Sequence, residues 1–109
     1  MNNDDFVATV DSVLNRIDSL LVKKGKEYAP GVDRLHHFHA AAELTGQDPI
    51  HILRGFMVKH TISIYDMLEH PEDHKMDLWD EKIGDHIAYL VLLKALLVDV
   101  GEIFSFPAV

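Results

Sequence analysis

The sequence predicts an all-α protein, a small bundle of about four helices. Apolar residues recur at the three- and four-residue spacing of helices, and no window shows sustained alternation of apolar and polar residues. Proline, glycine and capping residues divide the chain into helices at about 4–24, 34–45, 49–69 and 77–100, three of them long and one short. With 109 residues the chain forms a single domain, 1–109, and a bundle of this size is expected to be oligomeric.

The first two helices are predicted from an apolar stripe and from residues that begin and end helices. The stripe of the first helix consists of Phe6, Val10, Val13, Ile17 and Leu20. Its cap is expected at Asn3 or Asp4, and Gly25 ends it. Asp33 is placed to cap the short second helix, which Gly46 ends.

The third and fourth helices have equally clear signals. Asp48 is a capping residue followed by Pro49, which favours the first position of a helix. The fourth helix is expected to start at Asp77. It is apolar almost all round from 87 to 98, so it is predicted to be buried in the bundle or in a subunit interface. The apolar tail, 101–109, is predicted to pack on a neighbour.

The composition limits the classes of function. No run approaches the roughly 18 apolar residues of a membrane span, and the N-terminus lacks the pattern of a signal peptide. The absence of cysteine excludes disulfides and thiolate metal sites. Eighteen acidic against ten basic residues give a net charge of −8, which argues against binding to a nucleic-acid backbone or to an anionic membrane. We therefore expect a cytoplasmic protein.

Glu81 and Asp85 are the most informative pair of residues. They lie four residues apart at the head of the fourth helix, on the face that continues into its apolar side. Two like charges there cost free energy unless a cation lies between them, and a hard divalent cation, Mg²⁺ or Mn²⁺, prefers oxygen ligands. The alternative is a buried ion pair with Lys59 or Arg34.

Further charged and aromatic residues are candidates for the same site. Glu27 and Asp66 are candidate additional acidic ligands. Asp66 shares a face of the third helix with Lys59 and Ser63, and this face either meets solvent or lines a cleft against the fourth helix. The candidate phosphate contacts are Lys24, Lys26, Arg34 and Lys59. The candidates for stacking on a base are Tyr28, Phe38 and Trp79.

The histidines suggest a second, weaker site. His36, His37 and His39 form a dense cluster, and His36 and His39 would share one side of the second helix with Glu43. This arrangement suits a transition metal, although such clusters are more often polar surface. His60 falls inside the apolar stripe of the third helix, which predicts a hydrogen-bonded core histidine.

Several segments carry a resemblance to a known family. They are 24–29, 33–38, 57–60 with Asp66 and Met67, 79–85, and Tyr89 with Leu90. These segments resemble a group of small bacteriophage and prophage proteins, which are similar to the all-α nucleoside triphosphate pyrophosphohydrolases of the MazG and dimeric dUTPase superfamily. The resemblance to the phage proteins covers about 24–98, and the resemblance to the enzymes rests chiefly on the last helix.

The resemblance implies a site in which acidic residues from two helices hold magnesium and water attacks between the α and β phosphates. Glu81 and Asp85 match the later acidic motif, one residue wider than the usual Glu-x-x-Asp. Glu27 is the residue nearest to the earlier Glu-Glu-x-x-Glu motif, which otherwise has no counterpart. In this interpretation Glu27, Glu81 and Asp85 are catalytic, with Asp66 as a further metal ligand.

The expected function is therefore that of a Mg²⁺-dependent nucleotide-binding protein, with possible hydrolysis of a nucleoside triphosphate to monophosphate and pyrophosphate. It would be a homo-oligomer, a dimer or a tetramer, in the cytoplasm of the host cell if a phage encodes it. The alternative is a non-enzymatic, acidic helical oligomer that binds a host protein or sequesters a nucleotide signal.

Overall fold

A computed structural model describes residues 1–23 and 31–101, and every regular element within them is helical. The four α-helices are α1 (Asn3–Asp18), α2 (His36–Thr45), α3 (Pro49–Leu68) and α4 (Met76–Asp99). A π-helical turn, Ser19–Lys23, extends α1, and a 3₁₀ turn, Pro71–Asp73, joins α3 to α4. The predicted all-α fold of three long helices and one short one is confirmed. None of the four is both long and apolar enough to cross a membrane.

The end of α2 and the start of α3 follow the predicted signals. The Asp48 carboxylate accepts a hydrogen bond from the backbone N–H of His51 at 2.9 Å, and Pro49 occupies the first turn. Gly46 ends α2 in the left-handed conformation, with φ of +72°, where a side chain would be strained. These capping residues are correctly predicted because each acts through its own backbone neighbourhood.

Three predicted helix starts are wrong by one or two residues. The helix α2 begins at His36 rather than at residue 34, and its N-cap is Leu35 rather than Asp33, whose carboxylate accepts from the N–H of Leu35 at 2.9 Å. Asn2 caps α1, since its side-chain oxygen accepts from the N–H of Asp5 at 2.8 Å, and the expected caps, Asn3 and Asp4, lie inside the first turn. The acidic residues there favour the positive end of the helix dipole instead. The start of α4 is Met76 rather than Asp77, and no side chain caps it.

The helix α3 is central to the arrangement. It packs on α4 and on α2, while α1 packs mainly on α4. Among the described residues the buried apolar side chains are those of Ala42, Leu53, Met67 and Leu96. This core is smaller than the sequence predicts. In α4 only Gly84 and Leu96 are buried, and Leu90 and Val91 remain nearly half exposed, because the two neighbouring helices leave one side of α4 uncovered.

A glycine lies where α1 meets α4. A Cβ atom at Gly84 would lie 2.9 Å from Nε of Arg16 and 3.0 Å from its Cδ, so only glycine lets the arginine side chain lie this close to α4. No side chain of α1 is buried, and Phe6 and Val10 of its predicted apolar stripe are 58% and 39% exposed.

Three hydrogen bonds connect distant parts of the chain. Nε2 of His39 in α2 lies 2.6 Å from the carboxylate of Asp99 at the end of α4. Arg34 donates from Nη2 to the backbone oxygen of Leu21 at 3.1 Å. The indole N–H of Trp79 donates to the backbone oxygen of Pro71 at 3.2 Å, so the ring fixes the turn between α3 and α4. The predicted packing of the tail on a neighbour falls on residues beyond Gly101, which lie outside the described part.

Candidate ligand-binding cleft

A cleft of about 190 Å³ lies between α3 and α4. The side chains that line it are Phe56, Lys59, His60 and Ser63 of α3, and Lys82 and Tyr89 of α4. Lys59 and Ser63 are four residues apart, and Lys82 and Tyr89 are seven apart, so each pair lies on one side of its helix. The face of α3 that carries Lys59 and Ser63 therefore lines a cleft facing α4, which is one of the two arrangements expected from the sequence.

Aromatic rings form one wall of the cleft. The Tyr89 ring is nearly parallel to that of Phe56, with centroids 6.3 Å apart and planes 4° from each other. It also meets the His60 ring at a centroid distance of 4.8 Å. Phe38 of α2 meets Phe56 edge to face at 6.2 Å. These contacts hold Phe56 in place while its side chain stays 49% exposed, which leaves ring surface available to a planar ligand.

Lys59 and Lys82 supply two ammonium groups to the same cleft. Within residues 1–23 and 31–101 neither ammonium forms an ion pair or a hydrogen bond. In a chain with a net charge of −8, this cleft brings together two lysines from separate helices. Each ammonium offers three donors, a suitable complement to phosphate oxygens.

Two buried histidine nitrogens have no hydrogen-bond partner in the described part of the chain. They are Nδ1 of His60 and Nδ1 of His86. The prediction that His60 is a hydrogen-bonded core histidine is wrong on both counts, because the ring is half-buried and faces Tyr89, whose aromatic surface offers no strong acceptor. An unsatisfied buried nitrogen typically costs about 1–3 kcal/mol, and such costs are often tolerated near functional sites.

Glu81 and Asp85 lie beside the cleft without lining it. Glu81 is exposed and Asp85 is half-buried. Asp85 follows Lys82 by three residues and precedes Tyr89 by four, so it lies close to the cleft-lining side of α4. Neither carboxylate forms an ion pair with another described residue, so the buried ion pair considered as an alternative is not found.

The other predicted acidic ligands do not join this pair among the described residues. Asp66 is exposed and does not line the cleft. In the described ranges the one group of three carboxylate or imidazole ligands within 4.8 Å of one another is exposed, in the turn between α3 and α4: His70, Glu72 and Asp73. The remaining candidates lie outside the described residues: Lys24, Lys26, Glu27 and Tyr28.

Arg34 and the histidine cluster lie elsewhere on the protein. Arg34 does not line the cleft between α3 and α4, and it donates to the backbone oxygen of Leu21 in the middle of the π-helical turn. The rings of His36 and His37 lie 5.6 Å apart, and His39 contacts Asp99. His36, His39 and Glu43 do not bring three ligand atoms together.

Sequence reasoning missed several cleft residues as parts of a site: Phe56, His60, Lys82 and Tyr89. Their spacing carried a usable signal. Phe56, Lys59 and Ser63 recur at intervals of three and four, and Lys82 and Tyr89 are two turns apart. A helix face that combines cations with aromatic rings is therefore the sequence signal for both sides of the cleft.

No protein-family model, curated protein or solved structure matches this chain. The fold and the cleft therefore define only the structural class of the protein. It is an all-α protein with a small cleft, lined by two lysines and by aromatic rings, between its two longest helices.

Proposed function

We propose that this protein binds a nucleoside triphosphate together with Mg²⁺ in the cleft between α3 and α4. The observation that carries the proposal is a pair of lysines, Lys59 and Lys82, that line one cleft from two helices of an acidic protein and have no ion-pair partner in the described part of the chain. An anion with several negative charges is the ligand that satisfies both ammonium groups at once.

The phosphate chain occupies the cleft itself. A volume of about 190 Å³ is smaller than the 300–1,000 Å³ typical of sites that enclose a whole small molecule, so part of the ligand extends beyond the cleft. The exposed ring of Phe56 at the rim gives the base a surface on which to stack, a contact worth about 1–3 kcal/mol in proteins that bind nucleotides. The Ser63 hydroxyl adds a neutral donor beside Lys59.

Glu81 and Asp85 are the residues that would hold the metal. Two carboxylates one turn apart beside the lysines, with no cationic partner among the described residues, fit the few protein ligands that Mg²⁺ takes when phosphate oxygens and water complete its shell. When bound, Mg²⁺ supplies charge stabilisation to the phosphates and can activate water for hydrolysis. The lysines hold and orient the phosphate chain.

Binding without turnover is the second candidate function. It is favoured by the small number of carboxylates near the cleft. Among the described residues, α4 alone contributes carboxylates next to the cleft, and Asp66 of α3 does not line it. A nucleotide held by half of a hydrolytic site would be sequestered rather than cleaved. Chromatography of a panel of ribo- and deoxynucleoside triphosphates incubated with Mg²⁺ separates the two functions, since only hydrolysis yields monophosphate and pyrophosphate.

Lys59→Ala and Lys82→Ala are each expected to weaken triphosphate binding by about one to two orders of magnitude, since each removes a charge-assisted contact. Isothermal titration calorimetry with the panel and Mg²⁺ measures the change. Lys94→Ala is the matched control, because Lys94 lies exposed on α4 outside the cleft, and it should bind as the wild type does. Wild-type affinity in both cleft variants would refute the proposed site.

Glu81→Ala and Asp85→Ala are expected to abolish the dependence of binding on Mg²⁺ while the helical circular dichroism spectrum is kept. The two residues would ligate the ion but lie outside the buried core, so their loss affects the metal more than the fold. Titrations with Mg²⁺ and with a chelator provide the comparison. Asp77→Ala, in the first turn of the same helix, serves as control. Metal dependence that survives in both variants would show that the ion, if needed, is held elsewhere.

A further inference from the structure

We infer that two copies of this chain associate through the outward side of α3, antiparallel and related by a twofold axis. The inference is independent of the proposed function, because this side of α3 faces away from the cleft. Tyr65 and Ser63, for example, are separated by about 200° around the helix.

The outward side of α3 is a continuous apolar surface. It carries Val58, Ile62 and Tyr65, which are 49%, 55% and 65% exposed. With Leu93 of α4 these side chains line an open groove of about 510 Å³. The residues recur at intervals of three and four, so they form one stripe along the helix rather than isolated exposed side chains.

The stripe has opposite charges at its two ends. Arg54 precedes it and Glu69 follows it, about 22 Å further along the helix axis. Both side chains are exposed, and neither forms an ion pair within the described ranges. Between them the stripe carries no charge: Val58, Thr61, Ile62, Tyr65 and Leu68.

This charge pattern makes the surface complementary to itself. When two copies of α3 lie antiparallel with Arg54 opposite the partner's Glu69, Val58 lies opposite the partner's Tyr65 and Thr61 opposite the partner's Ile62. The twofold axis repeats each contact, so both ion pairs form in the same register in which the apolar residues meet. A parallel arrangement would place like charges together at both ends.

A second copy explains the surface better than a basic partner does. The chain is strongly acidic overall, but the stripe and its two ends carry no net charge, so electrostatic attraction would bring a basic protein to other parts of the surface. The described part of the chain also buries only four apolar side chains, a small core for a domain of this size. Association through α3 buries additional apolar side chains, and a second copy of the chain is available wherever the protein is made.

Ile62→Glu is expected to convert a dimer of twice 12.4 kDa into a monomer at micromolar concentration. Sedimentation equilibrium of the full chain measures the mass. Leu14→Glu is the control, because it places the same charge on α1 at a residue that is 59% exposed, where Ile62 is 55% exposed. This variant should remain a dimer. A monomeric wild type, or a dimer that Leu14→Glu disrupts and Ile62→Glu does not, would overturn the inference. Circular dichroism confirms that each variant is folded.

Charge exchange tests the antiparallel register. Arg54→Glu or Glu69→Arg alone places like charges together and should raise the dissociation constant by roughly an order of magnitude. The two substitutions combined in one chain restore opposite charges and should return it to within about threefold of the wild type. An equal mixture of the two single variants should form a heterodimer in preference to either homodimer. Additive weakening in the combined variant would refute this register.

Discussion

Replacement of Leu53 by alanine is expected to lower the free energy of unfolding by about 2–5 kcal/mol. The Leu53 side chain is completely buried in α3, and few other apolar side chains share the core that it fills. The variant loses both the transfer free energy of the removed atoms and the contacts around the cavity that they leave. In a chain of this size, such a loss lowers the melting temperature by roughly 10–30 °C.

The matched control for this substitution is Leu44→Ala. Leu44 lies in α2 and is 88% exposed, so the same change in composition should alter the free energy of unfolding by less than about 0.5 kcal/mol. Thermal and urea unfolding, followed by circular dichroism, compare the two variants. If Leu53→Ala were no more destabilising than Leu44→Ala, the position of the core described here would be wrong.

Replacement of Gly84 by leucine is expected to separate α1 from α4. The Arg16 side chain lies against Gly84 at the edge of a cavity of about 250 Å³ between α1 and α4, so a leucine side chain at position 84 has to displace Arg16 from its contact with α4. Overpacking of this kind typically costs about 1–3 kcal/mol. Because α1 packs mainly on α4 and buries no side chain of its own, the expected result is a loss of the helical signal of α1, with α3 and α4 still folded.

Gly84→Ala is the graded control. The added methyl group meets Arg16 near the flexible end of its side chain, which can shift, and alanine favours the helix over glycine by about 1 kcal/mol. Its stability should therefore lie close to that of the wild type. Limited proteolysis with mass spectrometry locates the first cleavage sites. Protection of α1 in Gly84→Leu equal to that in Gly84→Ala would show that the close approach of Arg16 does not hold α1 in place.

The sequence predicts the helices well and their burial poorly. Asp48, Pro49 and Gly46 act through neighbouring backbone groups, so their effects can be recognised without the rest of the structure. Burial depends on which helices meet, and periodicity does not contain that information. The exposed residues Phe6 and Leu90 have the pattern of core residues, but no described helix covers them.

The candidate site was predictable in part. Lys59 is a predicted phosphate contact, and it lines the cleft. Lys82, which lines the same cleft, lies next to Glu81 in the sequence and has no pattern of its own that indicates a site. That Lys59 and Lys82 line one cleft depends on how α3 packs against α4, which the sequence does not specify.

The lack of buried side chains in α1 has a consequence for how the protein unfolds. A segment without buried side chains opens at a smaller free-energy cost than the segments that share Leu53 and Leu96. The amide hydrogens of α1 can therefore exchange with solvent through local openings, while those in the middle of α3 and α4 require global unfolding. We therefore expect two levels of cooperativity, in which a single unfolding free energy describes only the global transition.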